Sequence, residues 1–239
     1  MSEDYVENNK FFFDYFRERL RFVKEHCRER MEGLILLCCA IDALAGSCYP
    51  ELKGRKRFRE FILEHSSSTA QQWKKISLWE LKCFLEKVDQ QRARDLASVF
   101  RGLGVAFERF GMLRHNPDVD IDTFEQRAKE KCSTPFPDDF KKTTVERFQY
   151  VSILWQRHRN LAIHEVRKSL DTAPGFGDET EPFYRRVPNQ RKVLFDIPNI
   201  FIWRTVGECI KSFHSSADSE RLDVVRRKLE LVKDKYTGI

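Results

Sequence analysis

Glycine is scarce, with ten in 239 residues, which argues against a β-sandwich or barrel whose many short strands need tight turns. The chain also has no C-x-x-C pair, so Cys27, Cys38, Cys39, Cys48, Cys83, Cys132 and Cys209 lack the spacing of zinc sites and redox motifs. Their odd number and mostly apolar surroundings predict buried, reduced thiols rather than a disulfide framework. No Gly-x-Ser-x-Gly elbow and no recognisable cysteine-nucleophile signature occurs, which sets aside the common serine and cysteine hydrolases. Gly175-Phe176-Gly177 lacks both the third glycine and the preceding strand of a dinucleotide loop. The longest apolar run, Gly33 to Ile41, is about half the roughly 20 residues of a membrane span and reads as a buried helix segment. The N-terminus, Met-Ser-Glu-Asp, is acidic where a signal peptide is basic and then apolar, so the expected location is cytoplasmic, with no membrane partner.

What is abundant is phenylalanine, at 20 residues, and charge, at 33% of the chain. The net charge of +6 permits an anionic partner without demanding one, so the placement of the charge has to decide. Residues 53–59 carry five basic and no acidic side chains, and 141–168 carry seven basic against two acidic, which together exceed the whole excess. Phosphate is therefore expected along 141–168, with Arg55 and Arg57 as a second contact.

The pattern predicts an all-α chain forming a single domain over 1–239. From Glu3 to Leu44 apolar residues recur at helical spacing, implying one long helix or two with a kink, ended near Gly46 and Pro50. Ser77-x-x-Glu80 reads as a capping box opening a helix whose buried side is Leu78, Leu81, Phe84, Leu85 and Val88. A further helical pattern runs from Leu96 to Phe107. Asp118, Asp120 and Asp122 begin like a calcium loop, but Thr123 stands where Gly is needed and Lys129 where Glu is needed, so no metal is expected. Asp122 with Glu125 is expected instead to cap a helix from Phe124 to Lys131. After Pro137 a Gly- and Pro-free stretch predicts one long helix over about 138–168. Phe183–Val187 and Lys192–Asp196 read as the arms of a small β-hairpin, and C-terminal helices are expected over about 199–234.

The predicted 138–168 helix carries Arg157-His158-Arg159-Asn160-Leu161-Ala162-Ile163-His164, and within it Arg-Asn-x-x-x-His as Arg159, Asn160 and His164. At average residue frequencies that pattern arises by chance in roughly one in a hundred chains of this length. In this motif and its helical context the chain resembles the HEPN superfamily (higher eukaryotes and prokaryotes nucleotide-binding). The resemblance implies a HEPN-like helical bundle acting as a homodimer, with two motif helices meeting in one shared cleft. It implies a metal-independent endoribonuclease without a cofactor, set in prokaryotic defence or a toxin–antitoxin pair, with an antitoxin or defence-system protein as partner. It equally admits non-catalytic members that only bind nucleotide, RNA or protein.

The residue types suit the chemistry. A histidine can take a proton from a ribose 2′-hydroxyl or give one to the leaving 5′-oxygen, which assigns His164 as general acid and base. Arginine offers a fixed fork of donors to phosphate oxygens as charge builds, the role of Arg159, while Asn160 orients His164 or donates to substrate. On an ideal α-helix Arg159 and His164 lie about 140° apart, whereas Arg157, Asn160 and His164 share a face within about 60°. Arg157 and Lys168 are therefore expected substrate contacts, and either arginine can be the catalytic one. Asp42, closing the first apolar run, is expected to pair with a buried arginine before it would line a cleft.

Overall fold

A computed structural model describes residues 4–27, 31–110, 115–132, 139–159, 179–187, 190, 192–220 and 222–225. The architecture is all-α with a small antiparallel hairpin, as the periodicity predicts. By its contacts the chain divides into two compact units, one of Met1–Ala70, Ala162–Glu165 and Asn199–Ile239, the other of Gln71–Leu161 and Val166–Pro198.

The first unit packs four long helices: α1 (Asp4–His26), α2 (Met31–Cys48), α3 (Gly54–His65) and, numbered in chain order, α11 (Asn199–Ser219). The Pro-free stretch from 3 to 44, with Gly33 as its one glycine, thus forms two helices. Asn9, Phe13, Phe16 and Val23 make the buried stripe of α1, spaced by three, four or seven residues, and Cys27 continues it just past the helix end. They run antiparallel to α11. Asn9 accepts from Val224 N (3.1 Å) just beyond α11, the Phe13 ring meets Phe213 edge-on at 5.3 Å, and Trp203 donates its indole N–H to Leu20 O (2.9 Å). Phe61 of α3 meets the same Phe213 at 5.9 Å. Each of the buried Phe13, Phe61 and Phe213 rings contributes roughly 1.5–3 kcal/mol of transfer free energy. The apolar run lies in α2, where Leu34, Leu37, Cys38, Ile41 and Leu44 are buried against α1, α3 and α11 while Cys39 faces out. Gly33 is required by close approach, because a Cβ there would lie 2.1 Å from Cys27 O at the end of α1.

The second unit holds α4 (Ala70–Lys74), whose first residue belongs to the other unit, then α5 (Leu78–Val88), α6 (Gln90–Asp95) and α7 (Ala97–Gly102). α7 stops well short of the predicted Phe107, because Gly104 turns the backbone to φ +79°. α8 (Ile121–Lys131) follows, capped by Asp120 rather than by the expected Asp122. Asp120 accepts from Thr123 N (2.8 Å) and from the Thr123 hydroxyl (3.0 Å), while Asp122 pairs with Lys141.

The single helix expected over 138–168 does not form over its described part. The chain makes α9 (Phe140–Thr143), a 3-10 turn (Val145–Phe148) and α10 (Tyr150–Ile153), which runs on as a π turn, Leu154–Arg159. The interruption has a tertiary cause. Segment 75–77 pairs with 148–150 on one side, through Ser77 N to Phe148 O (2.8 Å) and Tyr150 N to Lys75 O (2.9 Å). On its other side Ile76 N donates to Val119 O (2.9 Å). Gln149, held extended at ψ 143° opposite Ile76, cannot continue a helix. The predicted hairpin is present as β1 (Phe183–Arg186) and β2 (Val193–Asp196), with Tyr184 opposite Phe195. Both of these rings are buried, with Phe195 4.6 Å from Tyr150 and 5.1 Å from Tyr184. In this way the hairpin sits against the start of α10.

Candidate functional site

The motif segment begins on the π turn, where backbone hydrogen bonds run i to i+5, a geometry that appears mostly as single turns and often at functional sites. Arg157 on this turn donates to Glu80 of α5. The side chains of the pair are 32% and 13% exposed, so the ion pair is partly desolvated. Arg159 is turned onto the indole of Trp155, with its guanidinium carbon 4.2 Å from the ring centroid. Asn160, His164 and Lys168 lie outside the described residues. The two motif arginines that are described are thus held differently, Arg157 by a carboxylate and Arg159 across an aromatic face. Arg55 and Arg57 belong to the first unit, at the start of α3. Arg55 is exposed there, whereas Arg57 is half-buried with its guanidinium 3.6 Å from where a Cβ on Gly46 would stand. Asp42 is half-buried on α2.

The polar feature that sequence reasoning missed is Asp118. It is 5% exposed and accepts three hydrogen bonds, from Leu78 N (2.9 Å), Tyr150 Oη (2.6 Å) and Tyr184 Oη (2.7 Å). Ser77 Oγ in turn lies 2.8 Å from Tyr184 Oη, and Asn116 Nδ2 donates to Tyr150 Oη (3.1 Å). The expected capping box is therefore absent. The helix starts where Ser77 predicts, but Ser77 makes no side-chain cap, Glu80 is taken by Arg157, and the first backbone N–H of α5 is satisfied by Asp118, 40 residues on. Among the described residues no cation contacts this carboxyl. Burial pushes it up to about 7 against the opposing pull of the two tyrosines and Leu78 N, with Glu80 adding to the rise. Burial and the Asp118 charge likewise push the Tyr150 and Tyr184 hydroxyls well above their ordinary range. The network fixes the start of α5 against the start of α10 and so positions both ends of the Glu80–Arg157 pair. Nothing in the Asp118-x-Asp120-x-Asp122 spacing signals this.

On its other side α5 borders a cavity of about 560 Å³ lined by Trp79, Lys82, Cys83, Phe100, Arg101 and Phe107, among others. Lys82 Nζ lies 5.0 Å from the Trp79 ring centroid, and the Arg186 guanidinium lies 4.5 Å from that of Phe107. Burial raises the Cys83 thiol to about 11, so it stays protonated near neutral pH. Glu86, which pairs with Lys82 (3.3 Å), and Glu108 also line it, so its aromatic faces sit among charges of both signs, and the volume is of ligand size.

Of the seven cysteines, all reduced, only Cys27, Cys38 and Cys209 are buried, fewer than their apolar neighbours in sequence predict. Cys39 falls on the outer face of α2, and Cys48, Cys83 and Cys132 sit at partly open positions. Among the described residues no group of three or more His, Cys, Asp or Glu side chains is placed to hold a metal ion. Comparison with known proteins finds no matching family model, curated protein or solved structure.

Proposed function

We propose that the protein is a metal-independent endoribonuclease of HEPN type, working as a homodimer with a shared cleft. The observation that carries this reading is Arg159-Asn160-x-x-x-His164, a set of residue types that supplies phosphate binding, orientation and proton transfer. In the mechanism His164 takes the proton of a ribose 2′-hydroxyl, the 2′-oxygen bonds to the adjacent phosphorus as the P–O5′ bond breaks, the leaving 5′-oxygen takes that proton as a 5′-hydroxyl, Arg159 stabilises the phosphate charge, and a 2′,3′-cyclic phosphate is left. RNA is cut and DNA, which lacks the hydroxyl, is spared. The π turn that opens the motif supports the reading, as do the aromatic faces of the α5 cavity. Prokaryotic defence, with an antitoxin or similar protein partner, is the setting that fits such an enzyme.

A second reading, a non-catalytic HEPN-type module that binds nucleotide, RNA or protein, is favoured by Arg157, whose charge is met by Glu80. One experiment separates the two. Labelled RNA is incubated with the purified protein in EDTA and compared with His164→Ala and Arg159→Ala. Cleavage with cyclic-phosphate ends that both substitutions abolish supports the enzyme. RNA binding without cleavage by a dimeric sample overturns it in favour of the binding module.

A further inference from the structure

The first unit brings together three residues that nothing in the sequence links. Cys48 closes α2, His65 closes α3, and Ser212 lies on α11. Cys48 Sγ is 3.4 Å from His65 Nε2, and His65 Nδ1 is 3.0 Å from Ser212 Oγ. This is the order of nucleophile, base and orienting group that activated thiols share. The imidazole is 4% exposed and held among the rings of Phe61 (5.0 Å), Phe213 (5.6 Å) and Tyr49 (6.3 Å), so its orientation is fixed by packing as well as by Ser212. Cys48 itself is partly exposed. With Nδ1–H donated to Ser212 Oγ, the lone pair of Nε2 faces the Cys48 thiol.

We propose that Cys48 is a nucleophilic thiol with His65 as its base and Ser212 as the residue that positions His65, and that its substrate is a small hydroperoxide. Burial depresses the His65 imidazole below its ordinary value, which keeps it in the neutral, proton-accepting form near pH 7. Glu64 and Glu220 act in the opposite sense and favour the imidazolium once a proton arrives. Among the described residues, Tyr49, which donates to Glu64 and also reaches Cys48, and Cys209, in the charge field of Glu208 and Cys48, are further titratable groups beside the pair. Aromatic walls and flanking carboxylates disfavour anions and large substrates, leaving a small neutral electrophile. In the step itself Sγ attacks one peroxide oxygen while its proton moves to Nε2. The S–O bond forms, the O–O bond breaks, and the sulfur loses two electrons. The leaving oxygen takes the proton back from His65, giving a sulfenic acid and water, or an alcohol from an organic hydroperoxide.

The test uses the whole protein treated with limiting hydrogen peroxide, with dimedone to trap sulfenic acid and peptide mass mapping to score each cysteine. Cys39, exposed on the same helix, is the internal control. The expected result is trapping at Cys48 at least about ten times faster than at Cys39, a rate that falls about tenfold or more in His65→Gln and severalfold in Ser212→Ala. Alkylation of Cys48 by iodoacetamide should also show a pH–rate midpoint below that of Cys39, moving up in both variants. Equal or slower trapping at Cys48 than at Cys39 in the unsubstituted protein overturns the proposal. So does an unchanged Cys48 rate in Ser212→Ala, whose folding circular dichroism checks if His65→Gln does not fold.

Discussion

Asp118 makes stability depend on pH in a direction opposite to most carboxylates. Its carboxyl, ordinarily near 3.8, stands at about 7 in the folded chain, so over the interval between these values the native state holds a proton that the unfolded chain has released. Stability from this group is therefore fully present below about pH 4 and is lost as pH rises through 7. Between pH 5 and pH 8 the loss spans about two pH units below the folded midpoint, or about 2.5 kcal/mol at roughly 1.4 kcal/mol per unit. Asp118→Asn keeps the shape and cannot ionise, so it removes this dependence while weakening the bonds from Tyr150 and Tyr184 at both pH values. Urea unfolding of the two proteins at pH 5 and pH 8 measures the difference. The variant should be the less stable at pH 5, and its deficit should shrink, or reverse, by about 2–3 kcal/mol at pH 8. A deficit that is constant within about 0.5 kcal/mol, or that widens as pH rises, would show instead that the carboxyl is ionised at pH 5 or neutralised by a cation.

Four further substitutions test other joints of the fold. Glu80→Gln strands Arg157 without its partner and should cost about 1–2 kcal/mol by urea unfolding, less than the roughly 3–5 of a fully buried pair because Arg157 is one-third exposed. Asp120→Ala removes the α8 cap and should cost about 1 kcal/mol near neutral pH. Since the Thr123 bonds hold the Asp120 carboxyl below its usual range, that cost should fade as pH drops through it, which melting temperatures in acid would show. Gly33→Ala drives a methyl into the Cys27 carbonyl and should cost more than about 3 kcal/mol. Gly104→Ala meets φ +79° and the movable end of Arg109 and should cost about 1–2 kcal/mol; a milder Gly33 variant in the same denaturation series would contradict the close approach.

Local chemistry was readable and long-range substitution of partners was not. The hairpin is found within a residue of its predicted arms because alternation and turn residues act over a few positions. The start of α5 was legible from Ser77, but its capping group was not, since a carboxyl 40 residues on replaces the local bond. The helix expected from 138 is broken because the backbone at Gln149 bonds to segment 75–77, a competition that no periodicity reports. Within the motif the residue types are plain in the sequence, while the partner of Arg157 stands 77 residues away and was invisible. Cys48, His65 and Ser212 have no characteristic spacing, and only the packing of three helices joins them.

The order of segments along the chain has a consequence for synthesis. α1, α2 and α3 are made first, but the helix that covers Phe13 and Phe61 is α11, which follows the whole of the second unit. At roughly 5–20 residues per second, the ribosome takes on the order of ten seconds or more to deliver it. Through that interval the nascent chain displays an aromatic surface with its partner still untranslated, while the second unit, nearly continuous in sequence, has all its own pieces. The inserted unit is thus in a position to fold before the one that encloses it in sequence. A stalled or truncated message ending before residue 199 would release a chain with one complete unit and one open to chaperones and proteases.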